Sequence, residues 1–527
     1  MKKKIALALS ALLCSTAMFT ACGGEDASKT LYIEIDNAGY GITWLDPLID
    51  IFEAEHPGIK VKKTFMTKAP HSILGKITSG TSNIDISIVE TTILPYAQKK
   101  VSAGGKIYDS PFEDLTQWYN ETVPGENISI KDKMSSSWFK YNTIYENGQA
   151  KQYCLPWMQS LVSLVVNYSV FDKTKYEIPN TTDEMFALFD ELKEDDITPV
   201  LDTLADSYFN LLIDQWVAQY NGSENMALYY QGYDIGASNP TEHRYESSMV
   251  MIPGLEETLD VLKNIVAPKD STKEANSETT YISDYKTSGF TEAQNVFLEG
   301  VKDKVAFMPN GLWLQREMEA NFTADELNIE FIKVPVISAL GDKVGIDDAT
   351  LSAIIDYVDG KTTVQPTVTS TKGMSAEDVI AVVRDAREMN TANHDFGAMI
   401  TSYSTKKDLA KDFLKLLATD EGIEAMLTNC GGQAPFRYDI ENSPIKNQLS
   451  AFVYSGNKII QKGKYFFGET CDLIVKNHIS ICNVTSITSS LGAIKPGDRK
   501  TVTQVYAENA ETANANWSVW LREAGLS

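Results

Sequence analysis

The sequence predicts an α/β protein made of two lobes, each a doubly wound sheet. Three observations lead there. The chain has 527 residues, 43% of them hydrophobic, enough for sizeable cores and for two or three domains or two large lobes. Strand patterns alternate with helical stripes in two separate series, one starting near residue 31 and the other near residue 160. No internal repeat or low-complexity tract interrupts them. The formal net charge of −24 disfavours nucleic-acid phosphates and anionic lipid surfaces as partners.

Lys2, Lys3 and Lys4 precede an apolar run from Ile5 to Ala21 that is short for a permanent membrane helix. This is the arrangement of a secretory signal. Phe19-Thr20-Ala21-Cys22 followed by Gly23-Gly24 is similar to the bacterial lipoprotein box, with Phe19 and Thr20 standing where Leu and Ser or Ala are usual. Residues 1–21 then form the signal, Cys22 carries the lipid and 22–30 form a polar tether. Cys14 follows bulky Leu13, which the box disfavours. An ordinary cleaved signal with an incidental cysteine is the alternative.

Leu31, Ile33 and Ile35 alternate with Tyr32, Glu34 and Asp36, the period of a strand. Leu45, Leu48, Ile49 and Phe52 make one helical stripe, closed by Pro57-Gly58. Further strands are expected from Ile59 to Phe65 and from Ile84 to Val89. Such alternation favours parallel pairing with right-handed crossovers. Ligand groups then belong on the loops at the carboxyl ends of the strands, Asn37 to Thr43 and Glu90 to Tyr96. The second series opens with the apolar run Leu161 to Val166. Thr181 and Glu184 form a potential capping box ahead of the stripe Met185, Leu188, Phe189 and Leu192. A strand follows from Ile197 to Leu201, then a helix burying Phe209, Leu212, Ile213 and Trp216, and a strand from Val305 to Met308 that runs into Gly311-Leu312-Trp313. Leu409, Phe413, Leu416 and Leu417 mark a late helix, and Gly431-Gly432 breaks the chain after the next.

Signatures of nucleotide binding, zinc hydrolysis and the α/β-hydrolase mechanism are missing from the sequence. The five histidines are scattered, and none stands beside a nucleophile. The acidic runs Glu194-Asp195-Asp196 and Asp347-Asp348 read as solvated faces rather than glycosidase pairs. Cys154, Cys430, Cys471 and Cys482 form no CxxC and point to no zinc site. One or two disulfides are allowed in an exported chain, Cys471 with Cys482 being the local choice and the connectivity open.

Several stretches fall in a telling order: Gly41-Ile42-Thr43-Trp44 through Val61, the third strand with Asp85, Leu155-Pro156 through Asn167-Tyr168, Phe297 through Trp313, Lys406 through Leu414, Thr419-Asp420-Glu421-Gly422, and Gln433 through Arg437. Behind a lipoprotein box, they resemble the sugar-binding class of ABC-transporter solute-binding lipoproteins, the maltose-binding-protein-like class, from about residue 30 to residue 437. The stretch Ser338 to Asn393 is longer than in that class, and the chain after Arg437 does not align. The resemblance implies a periplasmic-binding-protein-like fold, two lobes joined by a hinge that closes over one sugar. Lobe 1 is expected from 31–158 with about 337–430, lobe 2 from 159–336 with about 431–527. The implied role is capture of a carbohydrate, an oligosaccharide given the aromatic supply, by a monomer held on the outer face of the cell membrane by its acyl chains alone and handing its cargo to a permease. No cofactor, metal, catalysis or nucleic acid is implied.

Aromatic rings cover the apolar faces of sugars while amides and carboxylates take hydroxyls. Trp313 and Tyr208 match positions where the class stacks an aromatic on the sugar. Glu90 and Tyr40 stand on the strand-end loops, Tyr40 between two glycines that permit close backbone approach. Trp157 sits at the expected crossover, and Asn310 is a hydroxyl donor or a cap. The other readings are the same fold with a peptide or polyamine, a glycan-processing enzyme, and a sensor with a kinase partner.

Overall fold

A computed structural model describes residues 26–524 and 526, except 68, 147, 202–208, 284–288, 302, 391–395, 466–480, 483 and 485. Cys22 with the expected signal, Tyr208 and Cys471 lie outside the described residues.

In chain order the strands are β1 (Thr30–Asp36), β2 (Lys60–Met66), β3 (Ile86–Glu90), β4 (Val101–Ala103), β5 (Lys106–Tyr108), β6 (Thr143–Glu146), β7 (Gln149–Gln152), β8 (Leu155–Pro156), β9 (Val162–Asn167), β10 (Thr198–Val200), β11 (Val305–Gly311), β12 (Ile329–Ile332), β13 (Met389–Asn390), β14 (Phe396–Ile400) and β15 (Lys464–Tyr465). One sheet has the order β2-β1-β3-β14-β8 and a second the order β10-β11-β9-β12, with β4-β5 and β6-β7 as small hairpins.

β1 pairs parallel with both β2 and β3, because a helix carries the chain back over the sheet each time. The helix Leu45–Glu55 buries Leu45, Leu48, Ile49 and Phe52, and the helix Pro70–Thr78 buries Ile73, Leu74 and Ile77. Parallel pairing does not extend throughout. β14 runs antiparallel to β3 and β8, and β9 runs antiparallel to β11 and β12. β9 and β14 are reached from the other lobe, so no helix over their own sheet sets their direction.

Each sheet is covered on both faces, which explains why β9 and β14 are buried along their whole length. Ile73, Ile93, Phe112 and Met399 share the far core of the first sheet. Val166, Phe189, Trp216 and Phe307 share that of the second. The middle core is continuous between the sheets, holding Ile35, Phe52 and Phe413 from one side and Met308, Phe331 and Phe452 from the other.

The stretch expected to rejoin lobe 1 at about 337 packs elsewhere. The helices Asp348–Val358 and Ala376–Glu388 put Leu351, Ile355, Val379 and Val383 into the far core of the second sheet. Return to the first lobe comes only between β13 and β14. An ion-pair network ties this segment down: Arg387 Nη2 donates to Asp359 Oδ2 at 2.7 Å and Lys333 Nζ to Asp359 Oδ1 at 2.8 Å, while Arg387 Nη1 donates to the Val334 carbonyl at 3.1 Å.

Burial alone would raise the Asp359 carboxyl, but Arg387 and Lys333 hold it below the ordinary carboxylate range. A lowered carboxylate contributes stability that is present above its unfolded pKa of about 3.9 and is lost as pH falls through the folded value. Removing one partner of a buried pair leaves the other charge uncompensated. Asp359→Ala should therefore lower the unfolding free energy by about 3 kcal/mol at neutral pH, with the difference shrinking below about pH 4. Urea titration at the two pH values checks this; a variant as stable as the parent at pH 7 would show that the network is dispensable.

Candidate functional site

Among the described residues, elements of the two lobes follow one another at three places: β8 and β9 through 157–161, β13 and β14, and after the helix Asp420–Cys430. The crossings are laced together. Gln159 N donates to the Gln433 carbonyl at 2.7 Å, β13 pairs with β15, and Tyr465 OH donates to the Ser160 carbonyl at 2.9 Å.

Next to these crossings the two lobes meet through aromatic rings. β1 ends at Asp36, and the loop after it turns where Gly41 N donates to the Ala38 carbonyl at 2.8 Å. Gly41 has φ 65°, a left-handed value that glycine adopts without steric penalty. From the second lobe β11 ends at Gly311, and Trp313 opens the short helix Leu314–Glu317. Tyr40 lies edge-on to Trp313 with centroids 6.0 Å apart and to Trp157 at 6.5 Å. Trp44 stacks on Trp157 at 4.5 Å with planes 8° apart, and Phe396 stands 5.4 Å from Trp157. The approach is close: a Cβ on Gly39 would stand 3.1 Å from Trp313 Cβ, so any side chain there would make the neighbour yield by a few tenths of an ångström. Arg316 then latches the lobes by donating from Nη2 to Thr43 Oγ1.

The structure thus gathers Tyr40, Trp157 and Trp313 from separate parts of the sequence. Their relative exposures are 2%, 2% and 7%, and Tyr40 is the ring that touches both tryptophans. Asn310 is wholly buried in β11, and its Oδ1 accepts from Gly311 N at 2.7 Å, serving the end of the strand. Glu90 ends β3 opposite Phe396 and is half-buried. Trp44, Phe396, Arg316 and Gln294 were not singled out from the sequence. Trp44 lies on the first helical turn, where it reads as core, and Phe396 and Gln294 become relevant only through strand pairing and lobe contact.

A cavity of about 550 Å³ opens beside the cluster, between loop 37–43 and Phe290, Gln294, Arg316 and Glu317. Gln294 is wholly buried; its Nε2 donates to Glu317 Oε2 at 2.9 Å while its Oε1 has no hydrogen-bond partner. Asp36 Oδ2 and Trp157 Nε1 are likewise unsatisfied. Each such group costs about 1–3 kcal/mol when dry, so the junction is poor as a permanent core. Arg316 is engaged by Glu319 as well as Thr43. Among the described residues, no three His, Cys, Asp or Glu side chains gather to hold a metal ion, and no helix is long and apolar enough to cross a membrane.

Two hinged α/β lobes meeting over a polar-and-aromatic junction define a solute-binding architecture. Residues 47–452 match the family of bacterial extracellular solute-binding proteins, and the chain belongs to that family; its place of work is extracytoplasmic. A solved chitin oligosaccharide binding protein overlays with a TM-score of 0.53 at 12% identity, covering 90% of this chain and 94% of the other. At that identity the likeness is one of fold. No curated protein sequence matches the chain.

Because Gly39 meets both Trp313 and Glu317 across the junction, a branched side chain there should wedge the lobes apart. Gly39→Val is expected to increase the radius of gyration in small-angle scattering without lowering helix content. An unchanged radius would mean that this contact does not separate when the lobes move.

Proposed function

We propose that the protein is a lipid-anchored solute-binding protein that captures a carbohydrate, an oligosaccharide by preference, and delivers it to an ABC-transporter permease. The observation that carries this reading is the junction itself. Tyr40 from one lobe and Trp313 from the other meet edge to face beside polar atoms that lack partners, Asp36 Oδ2, Trp157 Nε1 and Gln294 Oε1. Separating the lobes uncovers indole and phenol faces together with hydrogen-bonding groups. That combination matches a sugar, with its apolar ring faces and polar edges. Arg316 is already paired with Glu319, so the site has no free guanidinium for an anionic guest. The chitin oligosaccharide ligand named for the fold neighbour supports the same class.

Binding energy then closes the lobes, since a ligand shifts the open–closed population by its differential affinity for the two states. The permease would read the closed form. Capture and release need no bond-breaking step, so the protein is read as a binding protein, acting as a monomer, and not an enzyme. Cys22 would hold it at the membrane through its acyl chains.

A thermal-shift screen with chitin, malto- and xylo-oligosaccharides, a peptide pool and polyamines tests the reading. A sugar at about 100 times its Kd should stabilise by about 2.7 kcal/mol. Trp313→Ala should weaken that sugar by about tenfold to a hundredfold in calorimetry. Stabilisation by peptides or polyamines alone would replace the carbohydrate, and shortened glycans after incubation would make the protein an enzyme. Separately, Cys22→Ser should move the protein from the membrane fraction to the soluble fraction of its host; unchanged fractionation would remove the lipid anchor.

A further inference from the structure

The first sheet has two poles. The carboxyl end of β1 leads to the junction at Tyr40, while its amino end lies where the chain enters the fold, Thr30 following directly on the short helix Ala27–Lys29. Because β14 runs antiparallel to β3, the chain leaving β14 reaches the same pole. Thr401 N donates to the Asp85 carbonyl at 2.9 Å, and Lys406 Nζ pairs with Asp85 Oδ2 at 2.6 Å and donates to the Thr30 carbonyl. The helix Pro70–Thr78 also ends here, and hairpin β4-β5 lies against its end. Gly80 approaches the Ser102 carbonyl oxygen so closely that a Cβ would not fit between them. Tyr403 OH donates to the Ile77 carbonyl at 2.7 Å, and Tyr108 of the hairpin meets the Tyr403 ring with centroids 6.1 Å apart.

The hairpin buries Val101 and Ala103. Residues directly opposite in an antiparallel pair share a face, so Ile107, paired with Ser102, points outward, and it is 74% exposed. Lys99, Lys100 and Lys106 around it are exposed as well. Asp109 is the single carboxylate between 99 and 109, and Lys100 reaches it at 3.2 Å, which leaves the hairpin with an excess of positive charge. The rest of the pole is nearly balanced: Asp26 offsets Lys29, and Lys407 and Lys411, at 2.7 and 2.9 Å from Glu113, stand beside Asp408.

Cys22 precedes Asp26 by four residues, a reach of about 14 Å at most, so acyl chains on Cys22 keep this pole close to the headgroups. We propose that, given the acylated Cys22 of the proposed function, hairpin β4-β5 rests on the anionic surface of the membrane, with Lys99, Lys100 and Lys106 against lipid phosphates and Ile107 in the interface. The net charge of −24 does not oppose this contact. Exposed charges more than about 10 Å away are screened, whereas basic residues at an anionic bilayer surface are each attracted to it. An acidic remainder then turns outward and the basic hairpin inward. Standing on this pole, the protein holds the junction at the other end of β1, about 20 Å further from the bilayer, where it is open to solutes.

The intact protein, purified from its host and added to vesicles of phosphatidylcholine alone or of phosphatidylcholine with phosphatidylglycerol, provides the test. An NBD fluorophore on Ile107→Cys should shift its emission to the blue on the phosphatidylglycerol vesicles and be quenched there by nitroxide lipids. The same label on Val301→Cys, at a position 83% exposed in the second lobe, should report water throughout, and the parent chain labelled in parallel supplies the background from its own cysteines. Raised ionic strength should abolish the shift at 107, as should replacing Lys99, Lys100 and Lys106 together by Gln. Equal emission from the two positions on the anionic vesicles overturns the contact. So does a shift that nitroxide lipids leave unquenched, which would put a protein, a second copy or another partner, on the hairpin. Flotation separates this outcome from that of the lipid anchor. Protein that floats with phosphatidylcholine vesicles is held by its acyl chains whatever the fluorophore reports; protein that floats only with phosphatidylglycerol and shows the shift loses the anchor and keeps the hairpin contact; protein that floats with neither loses both.

Discussion

The structure depends on one constraint: two sheets, each needing cover on both faces, are built from a chain that crosses between them repeatedly. The crossings sit together because Gln159 and Gln433 exchange a backbone hydrogen bond and Tyr465 holds the Ser160 carbonyl. Parallel pairing gives way to antiparallel pairing at β9 and β14 for the same reason. A strand entered from the opposite lobe takes its direction from the crossing, whereas a strand reached over a helix takes it from the crossover.

That constraint also places the functional chemistry. Strand ends of both lobes converge beside the crossings, so Tyr40 meets both Trp157 and Trp313, which are 156 residues apart in sequence. The resulting contact has two opposed characters. Ring packing and the Arg316–Thr43 latch favour closure, while the unsatisfied atoms of Asp36, Trp157 and Gln294 disfavour it. An interface balanced in this way is suited to opening, since a fully satisfied apolar core would not separate at comparable cost.

The surplus of acidic residues makes the surface negative, and two sets of buried charges form closed groups. Asp359 is shared by Arg387 and Lys333, and Lys133 is shared by Glu126 and Asp420. Both sets fasten segments distant in sequence, 333 to 387 in one case and 133 to 420 in the other. Desolvating a charge without such a partner would cost several kcal/mol, so these positions bind segments together as pairs or triads.

Local periodicity was enough to identify much of the architecture. Alternation marked β1, β2 and β3, helical stripes named the buried faces of Leu45–Glu55 and Thr182–Glu194, and Gly431 was visible as a helix terminator, which φ 77° confirms. The aromatic residues Tyr40, Trp157 and Trp313 were legible because each stands at a strand end or crossover. What the sequence could not carry was the choice of partner. An apolar stripe says that a helix will be buried but not against which sheet, so the helices of 348–388 could be assigned to their lobe only from the packed cores. Likewise Trp44, Phe396 and Gln294 acquire their meaning from contacts across the junction. Secondary structure follows from neighbours along the chain, whereas lobe membership, strand direction and the site follow from which surfaces are pressed together, and that is settled only when the whole chain is folded.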